Sequence, residues 1–236
     1  MSEFSQRLAA VRHRIATAAE VVGRRPDEVE LLVAVKEQDA ERVRHVVGDG
    51  ARLLGHNRAQ ELIAMTPAIV DLSHEMHFIG HLQSNKAGKV VPLVSCVQSV
   101  GSFALAERLD RLATAADRIL DVFVQVNTSE EPTKGGIHVA DAVELAAGVG
   151  TLTHLRLRGL MTIGANSTDV DVVRGSYERL AQLRDEVRDA RAPGTAEAVE
   201  LSMGMSNDLE IAVAAGATMV RVGAGVFGPR TAVSPV

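Results

Sequence analysis

Eight short apolar runs, each followed by a helix-like stretch, constrain this chain more than any other feature. The runs are ELLVAV (30–35), RLLG (52–55), MHFIG (76–80), VSCVQS (94–99), DVFVQVN (121–127), LRLRGLM (155–161), VELSMG (199–204) and TMVRVG (218–223). Between them lie stretches such as DAERVRHVVGDG, SFALAERLDRLATAAD and DVVRGSYERLAQLRDEVRDA. Several of these place apolar residues at the i, i+3, i+4, i+7 spacing of an amphipathic helix. In 102–117, Phe103, Ala106, Leu109, Leu112 and Ala113 share one face. Ser102, Asp141 and Ser206 read as N-caps, and Gly48, Gly148 and Gly216 as helix stops. An additional helix over roughly 3–22 precedes the first run. Eight βα units in 236 residues point to an α/β fold, a single (β/α)8 TIM barrel over 1–236, since that fold takes about 250. A doubly wound open sheet is the rival, because alternation alone does not show closure. The terminal TAVSPV reads as a short frayed tail.

The formal net charge of −5 argues against general nucleic-acid binding, which needs a cationic surface. With no tryptophan and Tyr177 as the single tyrosine, platforms for stacking bases are scarce too. No stretch of about 18 uncharged apolar residues occurs, so no membrane span is expected. The first residues carry charges throughout and lack the apolar core of a secretory signal. Cys96 is the single cysteine, so an internal disulfide is excluded and a reduced, cytoplasmic protein is expected.

In such barrels chemistry gathers where the strands end. Those ends carry, in order, Lys36, His56 and Asn57, His81, Ser99, Asn127, Met161 and Thr162, Ser202 to Ser206, and Gly223. Lys36 reads either as the point where a strand meets water or as an amine held at a site mouth. The last two ends, LSMGMS and VGAGVFG, supply small residues and glycines. Their N–H groups can approach an anion closely, and barrels commonly bind phosphate there. GAGVFG also fits G-x-G-x-x-G, but only eight residues follow Gly228. A dinucleotide site needs an acidic residue about 20 positions on. A plain tight turn is the alternative to a phosphate loop.

Arg221 interrupts the apolar TMVRVG. Strand alternation sets Met219, Arg221 and Gly223 on one side, Val220 and Val222 on the other. With the valines against the helices, the guanidinium points into the barrel, where a buried cation needs a partner. That partner is either a carboxylate such as Glu200 or a ligand's acceptor atom. A lysine, a phosphate loop and an internal arginine facing one cavity fit pyridoxal 5′-phosphate (PLP). The amine meets the aldehyde as a Schiff base, N–H groups meet the phosphate, and the arginine meets the pyridine nitrogen. An arginine there leaves the nitrogen unprotonated, so only modest carbanion chemistry is expected.

The motifs LLGHNRAQE, HFIGHLQSNK, QVNTSEEPTKGG, RGLMTI and LSMGMSNDLEIAVAAGATMVRVGAGVFGPR together resemble the pyridoxal phosphate homeostasis protein (YggS/PROSC) family, over about residues 30–230. The resemblance implies a barrel like the N-terminal domain of alanine racemase, without that enzyme's second domain. It implies PLP binding and a part in vitamin B6 and amino-acid homeostasis, with no demonstrated reaction. It assigns Lys36 as the imine-forming lysine and Arg221 to the pyridine nitrogen. Ser202 and the backbone of Gly223 and Ala224 fall on the phosphate site, with Met203 and Ser206 nearby. Asn57 falls beside the ring, and Met161 lines the pocket. This chain departs from the family at Gly55-His56-Asn57, where the family usually reads Gly-Glu-Asn. It departs again at Glu37-Gln38-Asp39, where a basic residue and a proline often follow the lysine.

A non-catalytic protein that stores PLP and delivers it to PLP-dependent apoenzymes is the expected function. The alternative is a PLP-dependent amino-acid racemase, which would need a second base opposite the lysine. Tyr177, mid-helix, is a poor candidate for it. Lys134 in PTKGG reads as a solvated loop lysine that at most picks up free aldehyde transiently, and Lys86 and Lys89 as surface charges. His74, His77 and His81 lack the three or four convergent ligands of a zinc site, so no metal is expected. His77 is assigned to packing and His81 to the pocket edge. Without the dimerising domain, a monomer is expected.

Overall fold

Every one of the eight apolar runs forms a strand, in a computed structural model that describes residues 2–228. Helix α1 (Glu3–Val21) comes first. Then β1 (Glu30–Ala34), α2 (Ala40–Gly48), β2 (Leu53–His56), α3 (Ala59–Ile69), β3 (Glu75–Phe78) and α4 (Ala87–Val90) follow. They lead to β4 (Cys96–Val100), α5 (Phe103–Ala115), β5 (Leu120–Gln125), α6 (Ala142–Gly150) and β6 (Leu155–Met161). The chain continues through α7 (Val170–Asp189), β7 (Glu200–Ser202), α8 (Leu209–Ala214), β8 (Met219–Val222) and the short α9 (Ala224–Phe227). Neighbouring strands all pair in parallel, and β8 pairs with β1, so the sheet closes. Closure rules out the open doubly wound sheet. The TAVSPV tail lies outside the described residues, as do Pro229 and Arg230.

Alternation divides the strand residues into two cores. Leu32, Cys96, Phe123, Met161 and Met219 pack together inside the barrel, with Leu53, Ile79 and Ile163 at its edges. Val33, Val35, Leu54, Phe78, Val97, Leu160, Val220 and Val222 point outward into the larger core beneath the helices. Helix α1 completes that outer layer. The four-residue α9 is too short to cover the seam between β8 and β1, and α1 packs on α8 and α9 through buried Leu8, Val11 and Ile15. Arg42 of α2 locks the corner, stacking over the Phe4 and Phe227 rings and donating to Phe227 O at 2.7 Å.

Ser102 caps α5 as expected, accepting from Leu105 N at 3.3 Å. Three local expectations change. Ser206 is not an N-cap, because Asp208 Oδ1 accepts from Met205 N at 2.6 Å and that turn delays α8 to Leu209. Phe103 is 42% exposed, and Leu105 takes its place on the buried face of α5. The Phe103 ring instead lies over α6, 3.1 Å from where a Cβ on Gly148 would sit. Gly148 is therefore a contact glycine inside α6, which runs on to Gly150.

Candidate functional site

The seam between β8 and β1 brings the two ends of the sequence argument together. Leu32 pairs with Arg221 and Val33 with Val222. A Cβ on Gly223 would sit 3.1 Å from Ala34 O, so the start of α9 presses on the end of β1. Lys36 stands two residues further along. Leu32 faces inward and Val33 and Val35 outward. Continued alternation sets Lys36 on the inner side, where it is half-buried. The polar segment after it is held in place rather than loose. Glu37 has φ +59°, and its N–H donates to Glu61 Oε2 at 3.1 Å. Glu61, in the first turn of α3, also accepts from Arg58 Nη1 at 3.0 Å.

Arg221 is buried and points inward. Its Nη1 donates to Ser202 Oγ at 2.8 Å and its Nη2 to Thr162 O at 2.6 Å. Burial pulls its pKa down to about 10, opposed by nearby Tyr177 and Asp208. Glu200 is not its partner. Arg158 on β6 takes that carboxylate, together with Asp121 at 2.9 Å, one barrel layer lower. Arg221 thus rests on neutral acceptors.

Ser202, expected at the phosphate, is tied into the barrel interior. Its hydroxyl is fully buried and donates to Gln98 Oε1 at 2.6 Å while it accepts from Arg221. Met203 packs in the outer core, because alternation along β7 turns it away from the barrel interior. Ser206 reaches the last loop, accepting from Gly225 N at 3.2 Å. Gly223 and Ala224 open α9, where the first N–H groups lack intrahelical acceptors. Met161 is fully buried in the inner cluster below the mouth. Gln98 was not legible as a site residue, although an amide in the apolar VSCVQS was a signal for an internal polar contact.

At the end of β2, Gly55 faces inward against Leu32 and Ile79, so His56 turns outward and Asn57 inward. The His56 ring is 1% exposed, and neither nitrogen has a hydrogen-bond partner among the described residues. Burial lowers its pKa. The mouth collects further buried polar atoms without partners among the described residues: Gln38 Oε1, Asn57 Oδ1 and Ser99 Oγ. Buried polar atoms in folded proteins are normally bonded, so this cluster calls for an explanation.

Lys134 is not a solvated loop lysine. Its side chain is only 14% exposed, and its ammonium donates to Glu131 Oε1 at 2.7 Å and to Gly164 O. It fastens the loop after β5 to the loop after β6. His81 lies on the rim, beside Asn57, Arg58, Gln83 and Lys86. Among the described residues no group of three His, Cys, Asp or Glu side chains is placed to hold a metal. Nor is any described helix long and apolar enough to cross a membrane. Tyr177 is fully buried on α7, and burial raises its phenol pKa, which disfavours the phenolate a second base would need.

His77 faces inward from β3, and its Nδ1 accepts from Gln98 Nε2 at 2.8 Å. Burial pushes it down to about 4 from 6.5. The unfolded chain then binds this proton first as pH falls. Folding stability is undiminished above about pH 6.5 and declines toward pH 4, by roughly 3 kcal/mol at the lower end. His56 adds to the loss with the same sign. The His77→Gln variant should flatten the dependence of Tm on pH across that window. An unchanged slope would mean His77 is protonated in the folded protein.

The fold and this site define a (β/α)8 barrel of one particular class. The family model for the alanine racemase N-terminal domain matches residues 6–231. The pyridoxal phosphate homeostasis protein of Escherichia coli K12 is 37% identical over 237 residues, covering 98% of each chain. A solved protein from Bifidobacterium adolescentis superposes with a TM-score of 0.90 at 39% identity, over 95% of this chain and 94% of that one. PipY of Synechococcus elongatus, solved with PLP bound, superposes with a TM-score of 0.85 at 34% identity, over 96% and 100%. This chain belongs to the pyridoxal phosphate homeostasis protein family.

Proposed function

We propose that this chain binds PLP at the barrel mouth as a Schiff base on Lys36, and stores or delivers it to PLP-dependent apoenzymes. The observation that carries the reading is Arg221, a buried guanidinium hydrogen-bonded, among the described residues, to the neutral acceptors Ser202 Oγ and Thr162 O, on the strand paired with the one leading to Lys36. A buried cation without a carboxylate in its hydrogen-bond shell is costly, and a ligand's acceptor would offset that cost. The residues present fit the cofactor. Arg221 suits a pyridine nitrogen, and Asn57 Oδ1 and Ser99 Oγ are buried acceptors without hydrogen-bond partners among the described residues. The backbone of Gly223 and Ala224 suits the phosphate, with Ser206 fixing the loop through Gly225. Met161 floors the pocket. PLP supplies the aldehyde, and the chain supplies the amine that meets it. Ser202 holds Arg221, and Met203 packs behind the site in the outer core. PipY's PLP-bound state and the relatives' names support the same cofactor. We place the protein in the cytoplasm, in keeping with its single cysteine, and expect a monomer.

Titration with PLP and with pyridoxal, which lacks the phosphate, tests the anchoring. Pyridoxal should bind at least about tenfold more weakly, or ~1.4 kcal/mol. Gly223→Val should bring PLP affinity down toward that of pyridoxal, because the new side chain crowds the Ala34 carbonyl and the phosphate loop. Equal affinities for the two aldehydes would contradict the phosphate assignment.

A further inference from the structure

Behind Arg221 runs a chain of buried polar groups that the proposed function does not use. Arg221 Nη1 donates to Ser202 Oγ, Ser202 donates to Gln98 Oε1, and Gln98 Nε2 donates to His77 Nδ1. The four residues lie on β8, β7, β4 and β3, and all are buried. The direction of the chain is forced from both ends. Arginine can only donate. At the far end Gln98 Nε2 also lies 3.1 Å from Met219 Sδ, which can only accept. That fixes the amide with its nitrogen toward Met219 and His77 and its oxygen toward Ser202. The single Ser202 proton is then spent on Gln98, and Ser202 can only accept from Arg221. His77 Nδ1 must be bare, so the ring is neutral with its proton on Nε2. An apolar core could fill this volume without the desolvation cost of four polar groups.

We propose that Gln98 and His77 are positioning residues, holding the Arg221 guanidinium through Ser202 with its remaining donors turned to the ring nitrogen of the cofactor. The proposal rests on the PLP reading above. Gln98 sets the orientation of Ser202, and Ser202 sets the plane of the guanidinium. The neutral His77 supplies the acceptor that keeps the Gln98 amide from flipping. Losing the chain loosens Arg221 and weakens its pull on ring electrons, so the imine on Lys36 becomes more basic. Other titratable and charged groups reaching this chain are Tyr177 and Asp208 at Arg221, and Asp121 and Arg158 at His77.

The test uses the full chain with PLP, and the variants Gln98→Leu and Ser202→Ala. Both should keep the visible imine band, since Lys36 is untouched. Both should bind PLP about tenfold more weakly, with the pH midpoint of the band raised by about one unit. Folded variants that match the wild type in midpoint and affinity would overturn the proposal. A lower Tm alone, with the midpoint unmoved, would show a structural role and overturn it equally. A second arm needs no cofactor. Gln98→Glu keeps an acceptor for Ser202 but faces His77 with a carboxylate oxygen, so the His77 titration read by NMR should rise toward neutrality. An unmoved His77 would overturn its contact with Gln98, and with it the chain. A wild type with no imine band would refute the PLP reading itself, and the NMR arm would still decide whether His77 and Gln98 are joined.

Discussion

Lys36→Ala should abolish the visible band that PLP forms with the wild-type protein. The band reports an imine, and no other residue type offers the amine. The effect should be a complete loss rather than a graded one, while weak non-covalent binding persists through the Gly223–Ala224 backbone and Arg221. The fold should survive. Lys36 sits in the turn after β1, outside both hydrophobic cores, and the adjoining segment is fastened independently by the Glu37 N–H to Glu61. Tm should therefore move by a few degrees at most, in line with about 1 kcal/mol. Lys36→Arg separates charge from chemistry. It keeps a cation at the mouth but forms no stable imine, so its spectrum should match the alanine variant. A persisting band in either variant would move the site to another lysine.

Gly80→Ala should destabilise the protein by about 3 kcal/mol and disturb the site with it. A Cβ on Gly80 would fall 2.0 Å from Asn57 O and 2.6 Å from Asn57 Cα. These are backbone atoms, so no side-chain rotation relieves the overlap. One of the two strand ends, after β2 or after β3, must move. Asn57 belongs to the mouth, so PLP affinity should fall together with stability, by about tenfold. Gly175→Ala is the control. It lies on α7 with nothing within 4 Å of the added Cβ, and should be neutral or mildly stabilising. Equal Tm values for the Gly80 variant and the wild type would show that the two loops are not in the contact described. The contact gives a physical reason for the glycine in HFIGHLQ: the backbone of the preceding βα loop occupies the space.

What was legible in the sequence depended on how local its cause is. Strand positions and the inward turn of Arg221 follow from alternation within a few residues, and both hold in the structure. The site assignment of Lys36 relied on the barrel reading, which closure of β8 on β1 supports. Other features depend on partners far along the chain. Glu200 is claimed by Arg158, 42 residues away, so it could not be assigned to Arg221 or excluded from it by periodicity. Lys134 is drawn in from solvent because Gly164, 30 residues on, supplies a carbonyl. The resemblance set Ser202 at the phosphate, but its hydrogen bond to Gln98, 104 residues earlier, could not be read from the sequence. His56 was visible as a departure from the family pattern. That it is buried, outward-facing and without a hydrogen-bond partner among the described residues follows only from the folded register of β2.

The central claim is that one lysine, Lys36, carries the cofactor, and the chain's four lysines make it directly testable. The PLP-loaded protein should be reduced with borohydride, digested, and the pyridoxyl label located by mass spectrometry. A single labelled position is expected at Lys36, at one equivalent per chain, with Lys134 held back by Glu131 and the Gly164 carbonyl. A label confined to Lys134, Lys86 or Lys89 would contradict it.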